Sequence, residues 1–236
     1  VSDSFAHLHV HTEYSMLDGA SRVSEAVASA VADGQPAMAI TDHGNMYGVL
    51  DFYRTCRDSG IKPIIGTEIY LAHESRHERP NRRGRVDDSG GDTSGGKKLY
   101  YHAILLAESQ VGYRNLIQLS SQAFLSGYHY KPRADFELME QYSEGIIATS
   151  GCLGGHVCQA LIKGDPQAAL EHASRFQDIF GRDNFFIELQ DHGIEAQRSA
   201  NPRLIEIAKT INAPLLATND SHYTRQHDAH AHDALL

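Results

Sequence analysis

Phe5-Ala6-His7-Leu8-His9-Val10-His11 is the stretch on which the reading of this chain turns. It is a short apolar run with a histidine at every second position. Successive residues of a strand point to opposite faces, so strict alternation predicts His7, His9 and His11 on one side and Leu8 and Val10 on the other. Three imidazoles on one side of a core strand are hard to explain as packing. An H-x-H pair at a strand end lets both rings reach one ion, so His9 and His11 are read as metal ligands. His7 is read as lying behind the metals or only packing.

Working outward, the same rhythm recurs. Short runs rich in Ile, Val, Leu or aromatics occupy 5–10, 37–41, 63–71, 100–107, 145–149, 185–189 and 214–218. Their length and composition suit buried parallel strands. Amphipathic segments lie between them. Val23, Ala26, Val27, Ala30 and Val31 share one helical face, as do Leu204, Ile207, Ala208 and Ile211. Asp165-Pro166 and Asn201-Pro202 read as helix starts, and Gly181 as a helix stop. Alternating strands and helices imply an α/β fold with a parallel sheet. Seven strand candidates favour a single domain over 1–236, a distorted (β/α)7 TIM-like barrel. A doubly wound open sheet is the competing topology.

Residues capable of chemistry punctuate these runs. Asp18 lies in the loop before the first helix. Later come Thr41-Asp42-His43-Gly44, Gly66-Thr67-Glu68, His102, Ser150-Gly151-Cys152 and Asn219-Asp220-Ser221-His222. The C-terminal ends of barrel strands are where α/β barrels build active sites. Singly, Asp18 could cap a helix, Cys152 could be a small buried hydrophobe and His102 a core histidine. Their joint placement at strand ends argues for a site. Nine such groups (His9, His11, Asp18, His43, Glu68, His102, Cys152, Asp220 and His222) exceed what one tetrahedral ion uses and suit two or three ions with a bridging carboxylate. The mix of nitrogen, sulfur and oxygen donors points to zinc, manganese or iron, not to magnesium or calcium. Such a site suits phosphoester hydrolysis.

Composition bounds the alternatives. The 236 residues carry a formal charge of -9, which argues against a general nucleic-acid coat. Bound divalent cations can reverse the sign of one pocket, so a local phosphate site stays open. Three cysteines are too few for a disulfide framework, and a cytoplasmic location is expected. No apolar run approaches the roughly 18 residues of a membrane span. The start, Val1-Ser2-Asp3-Ser4, does not read as a signal peptide, and no membrane partner is expected. Cys56 and Cys158 read as helical core residues, and His227, His230 and His232 as surface residues. Asp191-His192-Gly193 reads either as a rim of the site or as a turn. The stretch 73–98 is a polar insertion with Arg76, Arg79, Arg82, Arg83 and Arg85. It reads as a solvated loop, with a phosphate-contacting arm as the functional alternative.

At this point the residues resemble a known family. Residues 5–19, the segment Thr41-Asp42-His43-Gly44-Asn45-Met46-Tyr47-Gly48, residues 60–68 and Ala217-Thr218-Asn219-Asp220-Ser221-His222-Tyr223 look like the PHP (polymerase and histidinol phosphatase) domain. The likeness is greatest to the version at the N-terminus of bacterial replicative DNA polymerase III alpha subunits, and it covers essentially the whole chain. The resemblance implies three divalent ions, with zinc or manganese favoured. His9, His11, Glu68 and Asp220 would hold the first and form the catalytic set. Glu68 would bridge to a second held by His102 and Cys152, and Asp18, His43 and His222 would hold the third. It also implies 3′→5′ proofreading exonuclease activity on DNA 3′ ends, with polymerase domains and replisome subunits as partners. The chain carries none of the polymerase carboxylate motifs and reads as an excised domain. Two rival expectations are a stand-alone phosphomonoesterase like histidinol-phosphate phosphatase, and a metal-stabilised domain that supports a polymerase without hydrolysis.

Overall fold

The computed structural model describes residues 5–80 and 99–236. In chain order the elements are α1 (Val23–Ala32), β1 (Ala37–Ile40), α2 (Val49–Asp58), β2 (Lys62–Ala72), β3 (Tyr100–Ala107), α3 (Gln110–Leu125), β4 (Arg133–Ala134), α4 (Phe136–Gln141), β5 (Ile146–Thr149), α5 (His156–Ile162), α6 (Pro166–Phe180), β6 (Phe185–Leu189), α7 (Glu195–Ile211), β7 (Leu215–Ala217), a 3-10 turn (Gln226–Asp228) and α8 (Ala229–Leu235). The sheet runs β1-β2-β3-β5-β6-β7, with β4 branching off β2. The N-terminal segment joins its two edges. His7 bridges Met38 in β1, and Val10 bridges Ser221 beyond β7, both parallel. Backbone bonds on each side hold it: Ala39 N to His7 O at 2.8 Å, and His11 N to Ser221 O at 2.8 Å. The seven staves of the ring are therefore the seven runs expected from sequence, in a distorted (β/α)7 barrel.

Four expectations need correction. First, the sheet is not all parallel: β3 pairs antiparallel with both β2 and β5. Its N-terminal end consequently sits beside the C-terminal half of β2. Second, the first stave is a pair of isolated bridges with a bend at His9, not a regular strand. Without a ladder on either side nothing enforces strict alternation, and the parity changes at the bend. Leu8 packs with Ala39, Ile104 and Leu106, while His7 lies with Val10, Asp33 and Gln35 along α1. Third, α7 runs through Pro202. The turn before it is anchored by Asn201, whose amide donates to Gln190 O at 2.9 Å, and by Gln197, which donates to the Gln190 side chain at 3.3 Å. These tertiary bonds offset part of the cost of a helix-interior proline, about 3 kcal/mol. Fourth, Val31 is exposed on α1, whereas Val23, Ala26, Val27 and Ala30 are buried.

Most other local expectations stand. The Asp165 carboxylate caps α6 by accepting from Ala168 N at 2.9 Å, and Gly181 ends that helix at φ 87°. Cys56 and Cys158 are buried on α2 and α5. Burial pushes their thiols up to about 11 and about 12. The segment at 191–193 is a turn tied to α7, with His192 N donating to the Gln197 side chain at 2.8 Å. His232, expected at the surface, is half-buried and bonds to Asp18 O at 2.8 Å through Nε2.

The interior is divided by height. Along β2 and β3, side chains two apart share a face, and the register pairs Gly66 with Leu106 and Glu68 with Ile104. At one end of the ring Leu8, Ala39, Ile64, Ile104, Leu106 and Ile147 form an apolar plug. Glu68 and His102 lie further along the same faces, towards the other end. The largest core packs α3 to α7 against β2, β3, β5 and β6, and a second core packs α1 and α2 against β1 and the N-terminal segment.

The start of the polar insertion is pinned rather than free. Arg76 pairs with Asp135 at 2.7 Å and Glu137 at 3.0 Å. Arg79 donates to Arg76 O and Ser126 O, and the buried Arg133 guanidinium donates to Gly127 O, Arg76 O and Glu78 O. Arg76 and Arg79 thus bond within the fold. Arg82, Arg83 and Arg85 lie outside the described residues. Among the described residues no helix is long and apolar enough to cross a membrane.

One close approach gives a test. Gly112, in the first turn of α3, lies against the turn before β5, and a Cβ there would come 1.7 Å from Gly145 O. Helix propensity alone favours Ala over Gly by about 1 kcal/mol. The backbone clash reverses that sign, so Gly112→Ala should lower the urea midpoint. An unchanged or raised midpoint would mean that the α3–β5 contact is looser than described.

Candidate metal centre

The nine side chains singled out from sequence converge at one end of the ring. Glu68 is their hub. It projects from the middle of β2, is 1% exposed and has metal-capable atoms on every side. Its Oε2 lies 2.9 Å from His43 Nδ1, 3.1 Å from His11 Nε2 and 3.6 Å from His9 Nε2. Its Oε1 lies 3.1 Å from His102 Nδ1 and 3.6 Å from Cys152 Sγ. His102 reaches the hub because β3 is antiparallel: it comes from the start of its strand, not the end. Cys152 follows Gly151 in the loop after β5, where its sulfur accepts from Gly154 N at 3.3 Å.

Asp220 closes the centre from beyond β7. Its backbone is left-handed, at φ 47°, a conformation that Asp tolerates better than most residues. That turn directs Oδ1 to 3.1 Å from His9 Nε2 and 3.2 Å from His11 Nε2. Asp18 approaches from the loop before α1, with Oδ2 3.1 Å from His43 Nε2 and 3.9 Å from His222 Nε2. The His11 ring centroid lies 4.1 Å from those of both His43 and His222, which are 5.8 Å from each other. Three overlapping groups could each hold a cation: His9 with His11 and Asp220; His43 with Glu68 and His102; and His11 with His43 and His222.

These contacts are close, yet many are not hydrogen bonds. His9 Nε2, His11 Nε2, His43 Nδ1, Asp18 Oδ1, Glu68 Oε2 and Asp220 Oδ1 are buried without a hydrogen-bond partner. One buried polar atom left unpaired costs about 1–3 kcal/mol. Six pointing at one volume form a donor set that fits divalent cations.

A second layer, which sequence reading missed, sets the tautomers. Glu188 on β6 is 1% exposed and takes His9 Nδ1 at 2.7 Å. The hydroxyls of Thr149 and Thr218 also bond to its carboxylate, and Gln190 Nε2 donates at 3.0 Å. With Nδ1 donating to Glu188, His9 turns Nε2 to the hub, where a cation would take the place of a proton. His11 is set by Ser15. The Ser15 hydroxyl donates to Asp42 Oδ1 at 2.8 Å, so it accepts from His43 N at 3.1 Å and from His11 Nδ1 at 2.9 Å. Asp42 in turn accepts Thr12 N at 2.7 Å and the Thr12 hydroxyl at 2.9 Å. His222 Nδ1 donates to Asp220 O at 2.9 Å. Glu188 had a visible signal, a lone charge inside the apolar run Phe-Phe-Ile-Glu-Leu. Ser15 had none.

The electrostatics follow from this crowding. Burial opposes charge on His9, yet Asp220, Glu188 and Glu68 hold its imidazole well above the usual range. Burial is likewise overcome at His43, which Glu68 and Asp18 raise to about 10. Burial and the neighbouring His11 lower His222 to about 4. Glu68 and Asp220, though buried, are held below the ordinary carboxylate range by the facing imidazoles. Burial, with Glu68 and Asp220, raises the Cys152 thiol. His7 stands apart, half-buried among α1 residues.

Two outcomes follow. Without cations, His9 and His43 carry protons at pH 7, and a cation must displace them. Cation uptake should therefore release at least two protons, and affinity should rise with pH through neutrality towards about 10, where His43 deprotonates. Calorimetric titration in buffers of different ionisation enthalpy measures the proton count, and a count of zero contradicts the assignment. Separately, Glu188→Gln should keep the fold but weaken cation binding by about 10–100-fold, the usual effect of losing an orienting partner. Equal metal retention after dialysis would show that Glu188 only packs.

Comparison with known proteins agrees with this geometry. Residues 7–192 match the PHP domain. The chain is 48% identical over 233 residues to the DNA polymerase III subunit alpha of Treponema pallidum, covering 99% of this chain and 19% of that protein. It is 48% identical over 242 residues to that of Saccharopolyspora erythraea, covering 99% and 20%, and 42% identical over 234 residues to that of Thermus aquaticus, covering 98% and 18%. It thus spans about a fifth of the length of these relatives. Among solved structures, a two-domain protein containing a predicted PHP-like metal-dependent phosphoesterase from Bacteroides vulgatus shares the fold. The TM-score is 0.54 and the identity 16%, covering 94% of this chain and 53% of that one. A candidate metal-dependent phosphoesterase from Bifidobacterium adolescentis does so with TM-score 0.52 and 15% identity, covering 93% and 88%. With its ring of seven staves and the family's motifs across most of its length, the chain belongs to the PHP domain family.

Proposed function

We propose that this chain is a metal-dependent phosphodiesterase, the 3′→5′ proofreading exonuclease domain of a replicative DNA polymerase III alpha subunit. The observation that carries the reading is the set of six buried donor atoms that converge without hydrogen-bond partners. His9, His11, Glu68 and Asp220 would hold one divalent ion, and form the catalytic set. Glu68, His102 and Cys152 would hold a second, and Asp18, His43 and His222 a third. Zinc or manganese suits this mixture of nitrogen, sulfur and oxygen donors. Such ions supply an activated water and neutralise charge on the phosphodiester. The chain's own residues do the rest. Glu188 and Ser15 hold His9 and His11 in the tautomers that present Nε2. The apolar plug fills the far end of the ring. The substrate would be a DNA 3′ end, presented in the cytoplasm by polymerase domains and other replisome subunits that the longer relatives suggest.

The test is release of mononucleotides from single-stranded DNA by the metal-loaded chain. Asp220→Ala or His9→Ala should lower the rate at least about 100-fold, on the scale of losing one preorganised electrostatic group. Unchanged release by Asp220→Ala would sink the assignment. Turnover of small phosphate monoesters with none on DNA would favour a stand-alone phosphomonoesterase. Chelation should also lower the thermal midpoint, since ions at 100 times their dissociation constant stabilise by about 2.7 kcal/mol. Destabilisation by chelator with no hydrolysis of either substrate would leave a metal-stabilised structural domain.

A further inference from the structure

The group formed by Asp18, His43 and His222 is held from outside by a residue with no place among the nine donors. Asp18 lies in a tight turn that follows His11. Its own N and that of Gly19 both donate to Ser15 O, at 3.1 and 2.7 Å, and a Cβ at Gly19 would come 1.9 Å from Thr12 O. Ala20 N then donates to His222 O at 2.7 Å, which ties this turn to the segment beyond β7. The Asp18 carbonyl accepts from His232 Nε2 at 2.8 Å, across 214 residues of chain. The His232 ring centroid lies 5.8 Å from that of His222 and 5.3 Å from that of Tyr223. One side chain of α8 thus engages both Asp18 and His222. A carbonyl only accepts, so Nε2 of His232 carries the proton and is not offered to an ion. Nor does packing account for the residue. None of α8 is fully buried, and His232 is half-buried. It acts on the barrel through one directed bond and two ring contacts, not through apolar area.

We propose that His232 is a positioning residue for the third ion: it fixes the Asp18 turn beside His222, so that docking of α8 sets the affinity of this group and leaves the other two unchanged. The inference rests on the reading of the nine donors as three ion sites. Its physical basis is where the ligands come from. Asp18 and His222 both lie in loops, which place a side chain less precisely than strands do and so depend on bonds from their surroundings. Glu68 and His102 project from β2 and β3, and His9 is set by Glu188 on β6. Loss of the His232 bond would free the Asp18 turn at its carbonyl while those supports remained. A surface helix would thereby be coupled to one ion of the centre.

The test titrates the whole metal-free chain with zinc in competition with a chromophoric chelator, which gives the number of ions and the affinity of each. Asp18→Ala identifies the third ion as the one it loses. His232→Ala should weaken that same ion about 10-fold, the lower end for loss of an orienting partner, and leave the other two unchanged. His232→Phe keeps a ring beside His222 and removes the donor. It should behave as His232→Ala does, and it serves equally if the alanine variant does not fold. His232→Gln, whose amide can donate in place of Nε2, should restore the affinity. His230→Ala, at an exposed position of the same helix, should change nothing. In an Asp18→Ala background His232→Ala should have no further effect on the remaining ions, because both changes act on one site. Full affinity for all three ions in His232→Ala and His232→Phe overturns the proposal and leaves the three-ion reading standing. Equal weakening of every ion also overturns it, because His232 would then only stabilise the fold. A wild-type chain that takes up fewer than three ions, or an Asp18→Ala variant that loses none, removes the three-ion reading and the proposal with it.

Discussion

A carboxylate buried as completely as Glu68 needs compensating charge on every side, and the fold is arranged around supplying it. Desolvation alone would push its proton affinity up, but His102, His43 and His9 hold it down. Those imidazoles come from three separate staves. Bringing them together requires β2 to run past the hub, β3 to reverse direction so that its first residues face inward there, and the N-terminal segment to close the ring. The antiparallel β3 is therefore a condition of the centre: run parallel, the strand would bring its last residues to this end and leave His102 at the other.

The apolar plug shares in the same constraint. Ile64 and Glu68 lie on one face of β2, and His102, Ile104 and Leu106 on one face of β3. A single alternation therefore writes both the dry end and the charged end of the interior. The plug keeps water from the far side of the carboxylates. Each charge–charge contact at the hub is then worth more than it would be in water, and each unpaired donor costs more. The Glu188 cluster and the Ser15–Asp42 pair extend that logic outward. They satisfy the His9 and His11 ring nitrogens that face away from the hub and so leave the inward nitrogens as the unsatisfied atoms.

Much of this was legible in the chain. Apolar runs marked every stave, because buried strands need continuous Ile, Val, Leu and aromatic residues whichever way they run. That indifference to direction is also why β3 was misread as parallel: periodicity carries no sign. His9, His11, Glu68, His102 and Asp220 were legible because ionisable groups at the ends of core strands are costly to bury unless they face a cation or one another. His7 was misplaced because alternation holds only where a ladder enforces it, and the first stave has single bridges. Pro202 was misread because a local helix-breaking rule competes with tertiary bonds from Asn201 and Gln197 that no local pattern shows. Arg76 and Arg79 read as part of a solvated loop, or else of a phosphate-contacting arm, because their partners, Asp135 and Ser126, lie some 50 residues on.

The remaining tension is between a chain of net charge -9 and the polyanionic substrate proposed for it. The centre resolves it locally. Its carboxylates are internal, held ionised by imidazoles, and their charge is directed at the volume where cations fit rather than at the surface. Binding of divalent ions would turn that volume from a sink for protons into an attractor for phosphate. The negative charge elsewhere then works against loose, non-specific association along a duplex. On the proposed function, a domain so charged would engage DNA well only where bound cations meet a phosphodiester that is within reach. The selectivity for strand ends would thus lie as much in the field around the centre as in the centre itself.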